Sequence, residues 1–154
     1  MKELFDVHCH MVPGVDDGAA DLEESLAMLK MQHQDGVRKI IITPHYRRRM
    51  FETPAKKVHE QCLKLQEAAK KEYPDMSLYL GCELHSNMDL QDILEKRKYV
   101  TMAGSSYVLL EFSEGDSAQH IRERVYNVLS CGYEPIIAHV ERYQATVTGV
   151  PKVL

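Results

Sequence analysis

Five short apolar runs follow one another along the chain, and each ends in polar or turn-forming residues. They occupy residues 4–10, 37–43, 77–83, 107–112 and 134–139. Runs of this length that are rich in β-branched and aromatic residues are typical of strands buried within a parallel sheet. The pattern therefore predicts five strands.

Segments with helical periodicity lie between these runs. In the first segment, leucines recur three or four positions apart after Asp21, which forms a capping box with Glu24, and Gly36 ends the segment. Thr53 is predicted to cap a second helix, with Pro54 at its first helical position. Both segments have the apolar stripe of a helix that packs on one face of a sheet.

Strands and helices alternate through the rest of the chain as well. A short helix is predicted at residues 90–97, and Ser117 is predicted to cap a longer helix that ends at Gly132. This alternation predicts parallel βαβ units and an α/β fold. A single domain is expected over residues 1–143, followed by a tail at residues 144–154 that shows no clear period.

Composition narrows the class of protein further. The chain has 154 residues, of which 44% are hydrophobic and 27% charged, as expected for one globular domain. A formal net charge of -4 argues against nucleic-acid binding. No apolar stretch approaches the ~20 residues needed for membrane insertion. Acids flank the short apolar pair near the N-terminus, which is wrong for a signal peptide, so a cytoplasmic location is predicted.

The four cysteines lie far apart and form no C-x-x-C pair. They are therefore predicted to be reduced, mostly buried thiols rather than zinc ligands or a disulfide framework. Their positions are Cys9, Cys62, Cys82 and Cys131.

The first predicted strand ends in a His-x-His pair, His8 and His10. Residues two apart on a strand point to the same face, so these two imidazoles project together while Cys9 projects the other way. Two histidines satisfied within a turn are an equally reasonable interpretation of the pair alone.

Every other predicted strand also delivers a metal-competent side chain at its C-terminal end. A single histidine or glutamate there is usually only a polar boundary residue. In parallel α/β folds, however, these strand ends converge on one rim, so five in succession indicate a metal site. The predicted ligands are His8, His10, Asp17, His45, Glu83, Glu111 and His139.

Four imidazoles and three carboxylates are too many ligands for one ion. They suit two or three borderline-hard cations such as Mn, Fe or Zn. Clustered cations of this kind attract phosphate and favour hydrolysis, because they activate water and stabilise the attacking and leaving oxygens.

Several arginines are candidate phosphate ligands. Arg142, three residues beyond His139, is the best candidate for a bidentate phosphate contact and the predicted catalytic arginine. Arg47 and Arg48 follow His45 and are predicted to attract an acidic phosphopeptide at the rim, although a solvated loop would give the same pattern.

The motifs together resemble those of a known family, the manganese-dependent protein tyrosine phosphatases of the PHP superfamily in Gram-positive bacteria, which act with capsule and exopolysaccharide kinases. The resemblance runs from Met1 to about Tyr143. It rests on the segments HCH at 8–10, VDDG at 15–18, TPH at 43–45, FETP at 51–54, GCE at 81–83, LEF at 110–112 and IAHVERY at 137–143.

The resemblance implies a distorted (β/α)7 barrel with a three-metal centre, in which the seven predicted ligands match family ligands and Arg142 matches an arginine near the substrate phosphate. The implied substrate is the phosphotyrosine tail of a bacterial tyrosine kinase. Family members are longer and add an Asp-x-His pair and a second arginine. We therefore expect a partial barrel of about five strands, whose open side is explained either by truncation or by a second copy in a homo-oligomer.

Two other functions remain open from the sequence. Another PHP phosphoesterase with a small-molecule or DNA substrate is one alternative, although the net charge of -4 disfavours DNA. A truncated metal-binding form without full activity is the other.

Overall fold

The structure, a computed structural model, describes residues 3–86, 90–96 and 100–144. These residues form seven strands and four helices, together with two single-turn 3-10 helices. In chain order they are β1 (Leu4–Cys9), α1 (Leu22–Gln34), β2 (Val37–Ile42), β3 (His45–Tyr46), α2 (Ala55–Glu72), β4 (Ser77–Leu80), β5 (Glu83–His85), α3 (Leu90–Lys96), the 3-10 turn Met102–Gly104, β6 (Tyr107–Glu111), α4 (Ala118–Ser130), β7 (Glu134–Ile137) and the 3-10 turn Val140–Arg142.

The strands form two open sheets in which every pairing is parallel. One sheet has the order β1-β2-β4 and the other the order β3-β5-β6-β7. The prediction of an α/β fold with parallel strands is confirmed. The structure does not show the expected single partial barrel of five strands, since the third predicted strand is divided between the two sheets and an additional short strand, β3, follows the second predicted strand.

Pro44 gives the physical reason for this division. Regular parallel pairing continues up to the bond from the Gly81 N–H to Ile42 O at 2.7 Å, and it resumes with the bond from the Glu83 N–H to Pro44 O at 3.1 Å. A regular ladder would also need a bond donated by residue 44, but proline has no N–H. The prediction of an uninterrupted strand at residues 77–83 was therefore wrong, whereas β2 matches the strand predicted at residues 37–43 to within one residue.

Capping side chains fix where two of the helices begin. Asp21 accepts a hydrogen bond from the Glu24 N–H, and Ser117 accepts one from the His120 N–H, as predicted. Thr53 does not cap α2. Its hydroxyl donates instead to Val15 O at 2.7 Å, and α2 begins one residue later, after Pro54.

Each sheet packs against its own helices through a separate apolar core. Leu29 of α1 and Leu65 of α2 are fully buried with Ile40 and Ile42 of β2. The second core lies between the other sheet and helices α3 and α4. The four cysteines are free thiols, and Cys9 points into the first core, on the face opposite His8 and His10. Within the described ranges, no helix is long and apolar enough to cross a bilayer.

Candidate metal centre

The C-terminal ends of the strands meet at a pocket of about 480 Å³. β1 supplies His8 and is followed directly by His10, and the loop after β1 supplies Asp17. β3, β5 and β6 supply one ligand candidate each, and the turn after β7 supplies the last. All seven predicted ligands and Arg142 therefore come together. The lining residues are His8, His10, Asp17, Gly18, His45, Glu83, Glu111, His139 and Arg142.

Glu83 lies at the centre of this group, and its side chain is only 1% exposed. Its Oε2 lies 2.9 Å from His8 Nε2 and 3.0 Å from His10 Nε2, and 3.4 Å from Nδ1 of His45. Its Oε1 lies 2.9 Å from His139 Nε2. One carboxylate therefore contacts all four imidazoles.

The other two carboxylates, Glu111 and Asp17, also lie near these imidazoles. Glu111 Oε2 lies 3.7 Å from His45 Nδ1, and Glu111 Oε1 lies 3.9 Å from His139 Nε2. Asp17 Oδ1 lies 3.7 Å from His45 Nε2, and its side chain is 62% exposed at the mouth of the pocket.

The donor set fits divalent cations. Three groups of side chains place their ligand atoms within 4.8 Å of one another, and the groups share members, as in a multinuclear site. Across the described part of the chain, His45 Nδ1 and Glu111 Oε2 are buried yet have no hydrogen-bond partner, which a bound cation would satisfy. Nitrogen and oxygen donors without thiolate suit Mn, Fe or Zn. The groups are His8, His10 and Glu83; His10, Asp17 and His45; and His45, Glu83 and Glu111.

Close contacts shift the pKa values at the centre. Burial alone would raise the pKa of Glu83, but hydrogen bonds from His10 and His8 outweigh burial and hold the pKa well below its usual value. Burial alone would lower the pKa of His10, yet its hydrogen bonds to Asp16 and Glu83 raise that pKa to about 10. Glu83 is therefore a carboxylate that attracts positive charge, whether from protons or from metal.

Asp16 is a site residue that sequence reasoning missed. Its Oδ2 lies 2.9 Å from His10 Nδ1 and accepts a hydrogen bond from the His45 N–H at 2.8 Å. Its Oδ1 accepts a hydrogen bond from the Gly18 N–H at 3.1 Å. The available signal was the general rule that a ligating histidine has an acceptor at its other ring nitrogen.

Tyr143 was also missed as a site residue. It is buried, and its hydroxyl accepts a hydrogen bond from the Phe112 N–H at 3.1 Å and lies 3.0 Å from His139 Nδ1. His139 itself has φ +32° and ψ +52°, a left-handed conformation that is uncommon for a residue with a side chain. The Tyr143 hydroxyl therefore helps to hold the His139 ring at this strained backbone position.

The predicted arginines occupy different places. Arg142 lines the pocket with a side chain that is 62% exposed. Arg47 and Arg48 do not belong to the pocket lining. The backbone of Arg47 instead forms an isolated antiparallel β-bridge with Phe51. The Phe51 ring stacks on the His45 ring, with centroids 5.1 Å apart. The loop that carries Arg47 and Arg48 therefore lies beside the pocket rim.

Comparisons with known proteins match this arrangement. The family model described as "Capsular polysaccharide synthesis, CpsB/CapC" matches residues 4–153. The tyrosine-protein phosphatase CpsB of Streptococcus pneumoniae is 41% identical over 92% of this chain, and the tyrosine-protein phosphatase YwqE of Bacillus subtilis is 30% identical over 90%. The chain spans 58% and 55% of the lengths of these two relatives.

A solved structure is similar over nearly the whole chain. It is one of the crystal structures of YwqE from Bacillus subtilis and CpsB from Streptococcus pneumoniae, which are described as unique metal-dependent tyrosine phosphatases. The TM-score is 0.84 at 29% identity, covering 94% of this chain and 59% of the other. On both sequence and structure, the chain belongs to the CpsB/CapC family of capsular polysaccharide synthesis proteins.

Proposed function

We propose that this chain acts as a metal-dependent protein tyrosine phosphatase in capsular or exopolysaccharide synthesis. The observation that carries the proposal is the convergence of four histidines, three carboxylates and Arg142 on one pocket. Relatives named tyrosine-protein phosphatases support it. The phosphoryl group would enter where Arg142 and Asp17 leave the pocket open.

Manganese is the proposed metal, with two to three ions in the complete site. His10, His45 and Glu83 each belong to two of the three groups of candidate ligands, and this overlap supports the binding of more than one ion. Bound cations would activate water and stabilise negative charge on the phosphoryl oxygens. Glu83, buried between the imidazoles, would keep the ligands oriented while these charges change.

The proposed substrate is a phosphotyrosine in the tail of a bacterial tyrosine kinase. Arg142 would form a bidentate contact with the phosphate, because its guanidinium is exposed at the pocket. Arg47 and Arg48 would attract the acidic peptide from the rim, since their loop packs beside His45 through Phe51. A cytoplasmic location and the absence of nucleic-acid binding remain predictions from composition and charge.

The two open sheets would form one arc of a PHP-type barrel. The β2–β4 pair of the first sheet is followed along the chain by the β3–β5 pair of the second sheet, which keeps neighbouring strands in one continuous order. β1 lies at the edge of its sheet and leaves Leu4, Phe5 and Val7 at least half exposed. We propose that a second copy of the chain covers this side in a homo-oligomer.

Hydrolysis of a phosphotyrosine peptide with added Mn²⁺ tests the proposed activity. Wild type should release phosphate, and His8→Ala should lose most of this activity because His8 contacts the central Glu83. A phosphoserine peptide and a small phosphomonoester serve as comparison substrates, since faster turnover of either would favour another PHP phosphoesterase. Manganese bound without turnover of any substrate would instead show the truncated, metal-binding form.

A further inference from the structure

Asp16 connects three segments of the site through one buried carboxylate. Its side chain is fully buried. Oδ2 meets His10, just after β1, and the backbone N–H of His45, the first residue of β3. Oδ1 meets the backbone N–H of Gly18 in the loop that carries Asp17. Three of the pocket's ligand positions therefore depend on contacts with a residue that does not line the pocket.

The chemistry of a carboxylate decides which ring nitrogen of His10 faces the pocket. An ionised carboxylate only accepts hydrogen bonds, so the Nδ1 atom 2.9 Å away must be the donor. In the neutral ring the lone pair then lies on Nε2, the atom that faces Glu83 Oε2 at 3.0 Å. A metal ligand needs that lone pair pointing into the site.

His139 has a hydroxyl, not a carboxylate, beside its Nδ1 atom. Its Nδ1 meets the hydroxyl of Tyr143, which both donates and accepts hydrogen bonds. Tyr143 therefore positions the ring without selecting its tautomer, whereas Asp16 does both for His10.

We propose that Asp16 is a positioning residue that presents Nε2 of His10 to the metal centre and fixes His45 and the Asp17 loop around it. The inference rests on the proposed metal centre. It assigns Asp16 no direct contact with metal or substrate. Its role is to reduce the conformational freedom that the ligands would otherwise lose when a cation binds.

The test compares two Asp16 variants with a matched control elsewhere in the chain. His33 and Asp75 form another histidine–aspartate pair, with Nε2 3.0 Å from Oδ1, outside the pocket lining. Mn²⁺ affinity and the metal-free melting temperature are measured for wild type, Asp16→Asn, Asp16→Ala and Asp75→Asn. We expect Asp16→Ala to weaken Mn²⁺ binding ~100-fold and Asp16→Asn ~10-fold, while Asp75→Asn binds as wild type does.

Asp16→Asn keeps the shape of the side chain, so it remains informative if Asp16→Ala fails to fold. Its amide nitrogen must face either His10 and His45 or Gly18, all of which present N–H groups in the structure. In ¹⁵N-histidine spectra of the zinc-loaded chain, we expect a hydrogen-bonded Nδ1 proton for His10 in wild type. That signal should be lost or broadened in Asp16→Asn.

Two results would overturn the inference. If wild type binds Mn²⁺ and Asp16→Asn binds it equally well, Asp16 has only a structural role, whatever happens to the melting temperature. If wild type itself binds no Mn²⁺, the metal centre fails and the inference fails with it.

Discussion

Among single residues, Glu83 most directly determines what the pocket can bind. Its two oxygens contact the four imidazoles at 2.9–3.4 Å, so any cation that enters replaces protons shared within this group. Metal ligation needs neutral imidazoles and ionised carboxylates. Glu83 already has a lowered pKa, whereas His10 has a raised one, so His10 must lose a proton before it can bind a metal.

The pH dependence of metal binding follows from the pKa of His10. Its raised pKa stabilises the metal-free fold fully below the ordinary value of 6.5, and this contribution is lost as the pH rises towards about 10. Across that range Mn²⁺ affinity should therefore increase with pH, and binding at neutral pH should release protons. Calorimetry in buffers of different ionisation enthalpy measures the protons released. Affinity that falls with rising pH over this window would contradict the assignment.

Removal of the Tyr143 hydroxyl should destabilise the fold and loosen His139. In Tyr143→Phe the Phe112 N–H loses its acceptor in a buried position, which costs about 1–3 kcal/mol of unfolding free energy. Mn²⁺ affinity should also fall, because the His139 ring loses its contact at Nδ1. Denaturant unfolding measures the first effect. Tyr126→Phe is the control, since that side chain is 70% exposed, and equal stability of the two variants would refute the bracing role.

The ligand candidates that line the pocket were predictable from sequence, but the residues behind them were not. His8 and His10 follow from the two-residue period of a strand, and His45 from its position after a buried run. Asp16 and Tyr143 touch the far side of ligand rings from a loop and from a turn. No periodicity in the sequence places those atoms together.

At the scale of elements, the parallel βαβ units were predictable and the division into two sheets was not. Alternation of apolar runs with amphipathic segments predicted parallel strands, and the pairings between the described strands are all parallel. Pro44 was a visible signal for an interruption. The missing N–H of Pro44 interrupts the sheet because it lies between the hydrogen bonds donated by Gly81 and Glu83. Only the three-dimensional structure shows which strand faces Pro44.

The loop after β1 depends on the absence of a side chain at residue 18. A Cβ on Gly18 would lie 1.9 Å from His10 O and 2.5 Å from His10 Cβ. Gly18→Ala should therefore push His10 away from the site, reduce stability by roughly 1–3 kcal/mol and weaken Mn²⁺ binding. Thermal unfolding and metal titration measure both effects.

Gly115→Ala is the matched control for that substitution, because an added Cβ there meets nothing within 4 Å. It should leave stability and metal affinity close to the wild-type values. Indistinguishable behaviour of the two alanine variants would show that the loop relaxes around residue 18 without disturbing the ligands.

For the whole molecule, the main consequence is an exposed sheet edge beside the site. β1 has no strand on its outer side among the described residues, and Phe5 is 59% exposed there. Exposed apolar edge strands associate readily with other chains.

Association through β1 predicts a concentration-dependent dimer. Phe5→Lys should shift the population towards monomer, because a charged side chain on an edge strand opposes pairing. Light scattering after size exclusion measures the mass. Tyr126→Lys on α4 is the control, since Tyr126 is 70% exposed on a helix that packs against the other sheet. A wild-type chain that is monomeric at every concentration would contradict the proposed homo-oligomer.

The most direct test of the account is metal content per chain, measured on the same sample as phosphotyrosine hydrolysis. After loading with Mn²⁺ and removal of excess ion, elemental analysis should find two to three ions per chain in an active wild type. His8→Ala and Glu83→Gln should hold fewer ions and lose activity together, because both remove contacts at the centre of the donor group. Wild-type chains that retain no metal yet hydrolyse the peptide, or that bind no metal at all, would contradict the proposed centre.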